Sequence, residues 1–174
     1  MKKWFFILSL CFFTNNSLAD DSHVINEINI GIGQSKDHIG IYRLGLKKNF
    51  ETTFFYSDHG WLSGYYEASL NYWKKNEDHI YGIALSPVFV YYFANKTDVI
   101  LPYIEAGIGV AAISDTMIYG RNMSTTFQFE DRIGVGIKTT LFDLNARYMH
   151  YSNAGLKKPN NGIDIFMFTL AYRF

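Results

Sequence analysis

The final stretch of the chain sets Phe166, Phe168, Leu170, Tyr172 and Phe174 at every second position, up to a C-terminal aromatic. Successive side chains of a β-strand point to opposite faces, so this spacing builds one wholly apolar face and one mixed face. The same period recurs upstream. Segments at about 24–34, 38–48, 61–73, 79–93, 101–113, 126–138, 141–152 and 163–174 alternate in this way, with turn-rich stretches between them. In the third, Leu62, Tyr66, Ala68, Leu70 and Tyr72 oppose Ser63, Tyr65, Glu67, Ser69 and Asn71. In the sixth, Ile133, Val135 and Ile137 oppose Gln128, Glu130, Arg132 and Lys138. Eight segments with a lipid-like face and a polar or small face predict an all-β fold. The specific expectation is an eight-stranded antiparallel transmembrane β-barrel with both termini periplasmic.

The N-terminus supports export. Lys2 and Lys3 precede an apolar run from Trp4 to Phe13, and Ser17-Leu18-Ala19 offers a small-x-small cleavage site before Asp20. That run is too short to span a bilayer as a helix. Residues 1–19 are therefore expected to be a cleaved signal peptide and residues 20–174 the barrel. The single cysteine, Cys11, follows Leu10 inside the signal, which argues against a lipoprotein anchor and leaves the mature chain without disulfides. Removing Lys2 and Lys3 from 16 Lys+Arg leaves 14 cations against 16 acids, with no basic excess to hold nucleic acid. Aromatic residues make up 18% of the chain although no later segment is a long apolar run, as expected when apolar surface is spread over short strands.

Glycines 31, 33, 107, 109, 134 and 136 fall on the inferred inner face. In a narrow barrel they make room for Glu67, Glu105, Arg132, Arg147 and inward tyrosines, charges expected to pair as a structural network. Tyr72-Trp73 and Tyr91-Tyr92-Phe93 stand at strand ends, where aromatic girdles meet the membrane interface.

One outer-facing row breaks the apolar pattern. His150 and Ser152 share the face of Leu144, Ala146 and Tyr148, and Asp164 shares the face of Phe166 and Phe168 on the neighbouring segment. A serine needs a histidine base to become a nucleophile, and the histidine needs an acceptor to fix its tautomer. All three types stand on one face, where each is costly without a purpose. The remaining histidines, His23, His38, His59 and His79, are scattered, and no metal or other cofactor is expected. There is no GxSxG elbow and no phosphate loop.

The run Arg147-Tyr-x-His150-Tyr-Ser152-Asn153-Ala-Gly155, then Lys158-Pro159-Asn160-x-Gly162 and a strand ending Tyr-x-Phe, resembles the PagL-type lipid A 3-O-deacylases. The close match covers Arg147 to Phe174, with size, signal and architecture agreeing elsewhere. The resemblance implies an outer-membrane enzyme, a serine esterase that remodels lipopolysaccharide at the outer surface. On this chain it implies His150 as base, Ser152 as nucleophile, Asn160 in the oxyanion hole and Asn153 in support. The family's acidic residue is a glutamate, and the matching position here is Asp164, one methylene shorter. Lys157 and Lys158 stand where they would meet lipid A phosphates or simply solvate the loop.

Two rivals stay open at this stage. A non-catalytic structural or adhesive barrel explains the alternation but not the polar outer patch, and its loops, about 74–79 and 114–125, are short for an adhesin. An acyltransferase would need an acceptor pocket reaching into a lumen that reads as filled. A homodimer is compatible with the sequence.

Overall fold

The computed structural model describes residues 24–94 and 99–174; the expected signal segment and its cleavage site lie outside the described residues. Eleven strands form among them: β1 Glu27–Ser35, β2 Gly40–Asn49, β3 Phe54–Ser57, β4 Gly60–Lys75, β5 Asp78–Phe93, β6 Leu101–Ile113, β7 Met117–Ile118, β8 Arg121–Asn122, β9 Phe127–Lys138, β10 Phe142–Ser152 and β11 Ile163–Arg173. Eight of these close into an antiparallel ring, β1-β2-β4-β5-β6-β9-β10-β11, completed by the β1–β11 and β2–β4 pairings. Closure matters because an unpaired backbone amide or carbonyl in hydrocarbon costs several kcal/mol, and a ring has no edge to leave unpaired. The ring strands match the eight expected segments to within about three residues. β3, which pairs antiparallel with the start of β4, and the β7–β8 hairpin are additions that no alternation announced.

The outer wall carries the apolar rows: Ile28, Ile30 and Ile32 on β1, Ile133, Val135 and Ile137 on β9, Phe166, Phe168 and Leu170 on β11, all exposed. Inside, the ionisable side chains balance. Arg43, Lys47, Arg132, Lys138 and Arg147 face Glu27, Glu67, Glu105, Glu130 and Asp143, five cations against five carboxylates, all buried. Arg43 Nη2 donates to Glu67 Oε1 at 2.6 Å and its Nη1 to Glu130 Oε2 at 2.8 Å. Arg132 and Arg147 also reach Glu67, and Lys47 pairs with Asp143 at 3.0 Å. Stripping a single partner from such a pair typically costs about 3–5 kcal/mol, because the other charge stays buried. Glycine makes the network fit: a β-carbon on Gly136 would lie 2.3 Å from the Tyr103 ring.

Two expectations about side chains need correction. Neither Tyr92 nor Trp73 is a girdle residue: Tyr92 is buried in the lumen with its hydroxyl accepting from Lys138 Nζ, and Trp73 is 1% exposed inside the barrel, its ring edge-on to Tyr151 with centroids 4.9 Å apart. Trp73 alternates with Tyr72, so only Tyr72 can face outward. The lumen is also not uniformly polar. At the end away from the termini, Ile39, Ile41, Trp73, Ile80, Ile118, Met123, Met149, Tyr151, Ile163 and Ile165 make an apolar plug. The plug sits directly behind the outer patch that carries His150.

Candidate active site on the outer wall

Strand register assembles the central pair. β10 and β11 are antiparallel neighbours with His150 directly opposite Asp164. Both point outward, as the alternation of each strand requires, while Met149, Tyr151, Ile163 and Ile165 point into the plug. His150 Nδ1 meets Asp164 Oδ1 at 2.7 Å, with the two side chains 39% and 30% exposed. A carboxylate on Nδ1 makes that nitrogen the protonated one and leaves Nε2 as the free, basic edge. Gly162 keeps that edge open: a β-carbon there would stand 2.9 Å from His150 Cε1 and 3.1 Å from Nε2.

The other Asp164 oxygen also has company. Lys36, from the β1–β2 turn, approaches Oδ2 at 3.3 Å. The Tyr148 hydroxyl, two residues before His150 on the same face, interacts with the same carboxylate.

Ser152 closes β10 on the same outer face as His150, half-buried, and its Oγ accepts from Ala154 N–H at 3.4 Å. Among the described residues no hydrogen bond joins Ser152 to His150, so the resting structure brings base and acid together and holds the serine beside them. Beyond Ser152 the chain turns sharply through left-handed backbone at Ala154 (φ 51°) and Gly155 (φ 78°). Asn153, fully buried, organises this turn: its Oδ1 accepts from Gly155 N–H at 2.8 Å, and its Nδ2 donates to Lys157 O at 2.9 Å and Met123 O at 3.0 Å. Its backbone N–H donates to Asn160 Oδ1 at 3.1 Å. That bond fixes which way the Asn160 amide lies and turns its Nδ2 donors elsewhere. Lys157 and Lys158 are exposed on the loop.

Several residues around the patch escaped the sequence reading. The β7–β8 hairpin clamps the loop from Asn153 to Gly162: Asn161 N–H donates to Asn122 O at 3.0 Å, Ser124 Oγ bonds Pro159 O, and Arg121 bonds Gly162 O and the Asp37 carboxylate. The Arg121 hydrogen bond holds the Asp37 carboxyl below the usual carboxylate range, so the Arg121–Asp37 contact is an ion pair at neutral pH and is lost as pH falls through that lowered value. On the other flank, Asp131 of β9 stands directly opposite His150, a second carboxylate in an otherwise apolar outer row. Among the described residues, no group of three or more His, Cys, Asp and Glu is placed to hold a metal ion.

Fold and patch together define a class, a closed membrane barrel with a histidine–carboxylate pair on its outer wall. The profile of the family described as Lipid A 3-O-deacylase (PagL) matches residues 40–173, and the chain belongs to that family. It is 40% identical over 141 residues to the lipid A deacylase PagL of Pseudomonas aeruginosa, covering 79% of this chain and 80% of that one. The lipid A deacylase PagL of Bordetella bronchiseptica is 34% identical over 113 residues, covering 62% of this chain and 61% of that one. The crystal structure of the outer membrane enzyme PagL superimposes with a TM-score of 0.81 at 37% identity, covering 85% of this chain and 99% of that one. The protein is thus an outer-membrane β-barrel, and the expected fold and family both hold.

Proposed function

We propose that this protein is a lipid A 3-O-deacylase, a serine esterase that hydrolyses the ester-linked 3-hydroxyacyl chain at position 3 of lipid A. The observation that carries the reading is the 2.7 Å His150–Asp164 pair on the outer wall, beside Ser152. In this reading the chain termini are periplasmic, with residues 1–19 removed as a signal. The end bearing the β7–β8 hairpin and the Asn153–Gly162 loop then faces outward, and the patch meets the lipopolysaccharide leaflet.

The chemistry follows from the groups at hand. His150 Nε2 takes the Ser152 proton as Oγ attacks the ester carbonyl, and Asp164 stabilises the imidazolium through Nδ1. Asn160 Nδ2 is the side-chain donor for the oxyanion, since its Oδ1 is committed to Asn153 N–H. The Asn153 amide is spent on that bond, so Asn153 acts by holding the turn rather than by touching the oxyanion. His150 then protonates the departing sugar oxygen, leaving an acyl ester on Ser152. Water, deprotonated by His150, attacks that ester and releases the 3-hydroxy fatty acid. Lys157 and Lys158 stand on the same loop for the phosphates of lipid A.

The rival structural barrel leaves the outward His150–Asp164 pair without a use. Every group named comes from one barrel, so the reading needs no second copy, and the homodimer finds no support. Mass spectrometry of lipid A from cells with and without the protein tests the function. Loss of one 3-hydroxyacyl chain from position 3 only in cells carrying the protein is the expected result, and unchanged lipid A would overturn it.

A further inference from the structure

We propose that Lys36 and Tyr148 are positioning residues that lock the Asp164 carboxylate onto His150 and set the pH at which the imidazole becomes a working base. The proposal rests on the Ser152–His150–Asp164 reading above.

Geometry carries it. A carboxylate that reaches its partner through a single oxygen can swing about Cβ–Cγ and lose the bond. Here Oδ1 holds His150 Nδ1 at 2.7 Å while Lys36 Nζ stands 3.3 Å from Oδ2, so the two contacts pin opposite ends of the group. Tyr148 adds a third hold from β10. It faces Phe166 across the β10–β11 ladder, which makes Asp164 its diagonal neighbour, within reach of a tyrosine side chain. An aspartate has one rotatable bond fewer than a glutamate and must be met where it lies, and these two residues meet it there.

Stability is a poor explanation for the lysine. Its side chain is 76% exposed, and an exposed ion pair of this kind contributes little to folding. Its charge does act on the pair. The pinned carboxylate keeps Nδ1 in place, while the lysine's positive charge disfavours a second cation beside it, so loss of the lysine favours the imidazolium over the free base. The other charged or titratable groups on the surrounding elements are Asp131 on β9, Asp37 and His38 in the β1–β2 turn, and Arg121 against Gly162 O. Asp37 is occupied by Arg121 and His38 by Gln34, and all four are unchanged in the comparison below.

The test is the pH dependence of kcat and KM for the full-length protein in detergent, acting on purified lipid A. Wild type is compared with Lys36→Met, Lys36→Arg, Tyr148→Phe and, as the control for the triad, Ser152→Ala. Lys36→Met should move the rising limb of kcat upward by about 0.3 pH unit at low ionic strength, and the gap should close in high salt. Lys36→Arg should restore the wild-type limb. Tyr148→Phe removes a hydrogen-bonding group rather than a charge, so its limb should move the same way, about 0.5 unit, without salt dependence. Limbs unmoved in both variants overturn the proposal while Ser152→Ala is inactive. So does a Lys36→Met defect confined to KM, which would make Lys36 a substrate contact. An active Ser152→Ala sinks the triad reading and this proposal with it.

Discussion

Inside the barrel, Glu67 and Glu130 accept from Arg43, Arg132 and Arg147 with all five side chains at 0% exposure. On the outer wall, Asp164 accepts from His150 with the two about a third exposed. The same kind of pairing serves two ends. At the inner pair Glu67 and Glu130 every oxygen accepts from at least two donors, and none is left to meet a ligand. The outer pair is unfinished: Asp164 is held, but His150 keeps Nε2 free beside Gly162 and Ser152. Sealing a charge makes it structural, and leaving one edge open makes it reactive.

The comparison breaks first at the reactive side. Ser152→Ala and His150→Asn should insert and fold normally, because strand pairing is made by backbone, yet each should lose at least ~10³-fold in deacylation rate. Activity of the wild type should rise with pH as the imidazole loses its proton. Heat-modifiable migration on gels reports folding, and lipid A mass spectrometry reports activity. A folded Ser152→Ala barrel with near-normal turnover would end the serine mechanism.

The inner network should fail in the opposite way. Glu67→Ala takes one carboxylate from Arg43, Arg132 and Arg147, leaving the three cations to share Glu130 and Glu105 in a closed lumen, and should destabilise the barrel by about 3–5 kcal/mol. Molecules that do fold should turn over at close to the wild-type rate. Urea unfolding in detergent measures the first effect, and the rate per folded molecule measures the second. A Glu67→Ala protein with normal stability and lost activity would move the network into the catalytic machinery.

Gly162→Ala sharpens the boundary between the two regions. The added methyl meets the His150 ring at 2.9 Å, which can turn away, and the Tyr151 carbonyl oxygen at 2.7 Å, which only a backbone shift can relieve. Displacing the imidazole from Ser152 should cut kcat per folded molecule by about 10²-fold, as a misplacement of about 1 Å does, while the backbone shift costs some stability as well. Wild-type kcat in this variant would show that the Nε2 edge has slack to spare.

What could be read beforehand follows the same inside–outside division. The eight strands were legible because lipid on one side and a packed lumen on the other enforce a strict period of two. His150, Ser152 and Asp164 were legible as breaks in that period. Asp131 breaks the β9 row in the same way and was open to the same argument, had the alternation been carried back from Ile133. Trp73 was misplaced by its neighbour Tyr72, although parity puts the two on opposite faces. Lys36 and Arg121 had no such signal. Each reaches the site from a turn or hairpin far away in sequence, 128 residues in the case of Lys36 and Asp164, and loop docking leaves no periodic trace.

The smallest expected effect lies at Asp164, where this chain departs from the glutamate of its resemblance. Asp164→Ala leaves His150 and Ser152 in place and removes only the orienting carboxylate, so its loss should fall about one to two orders of magnitude short of that in Ser152→Ala. Asp164→Glu should lose less still. The longer side chain reaches past the 2.7 Å contact and must fold back, but the turn that brings Lys36 to Oδ2 gives the new carboxylate a partner on the same side. A double change, Asp164→Glu with Lys36→Met, separates reach from clamping: if the lysine fixes the shorter acid in particular, its removal should cost less in the glutamate background than in wild type. Equal costs in both backgrounds would mean that Lys36 acts on the patch without regard to which acid stands there, and the outer pair would then be as self-sufficient as the inner ones.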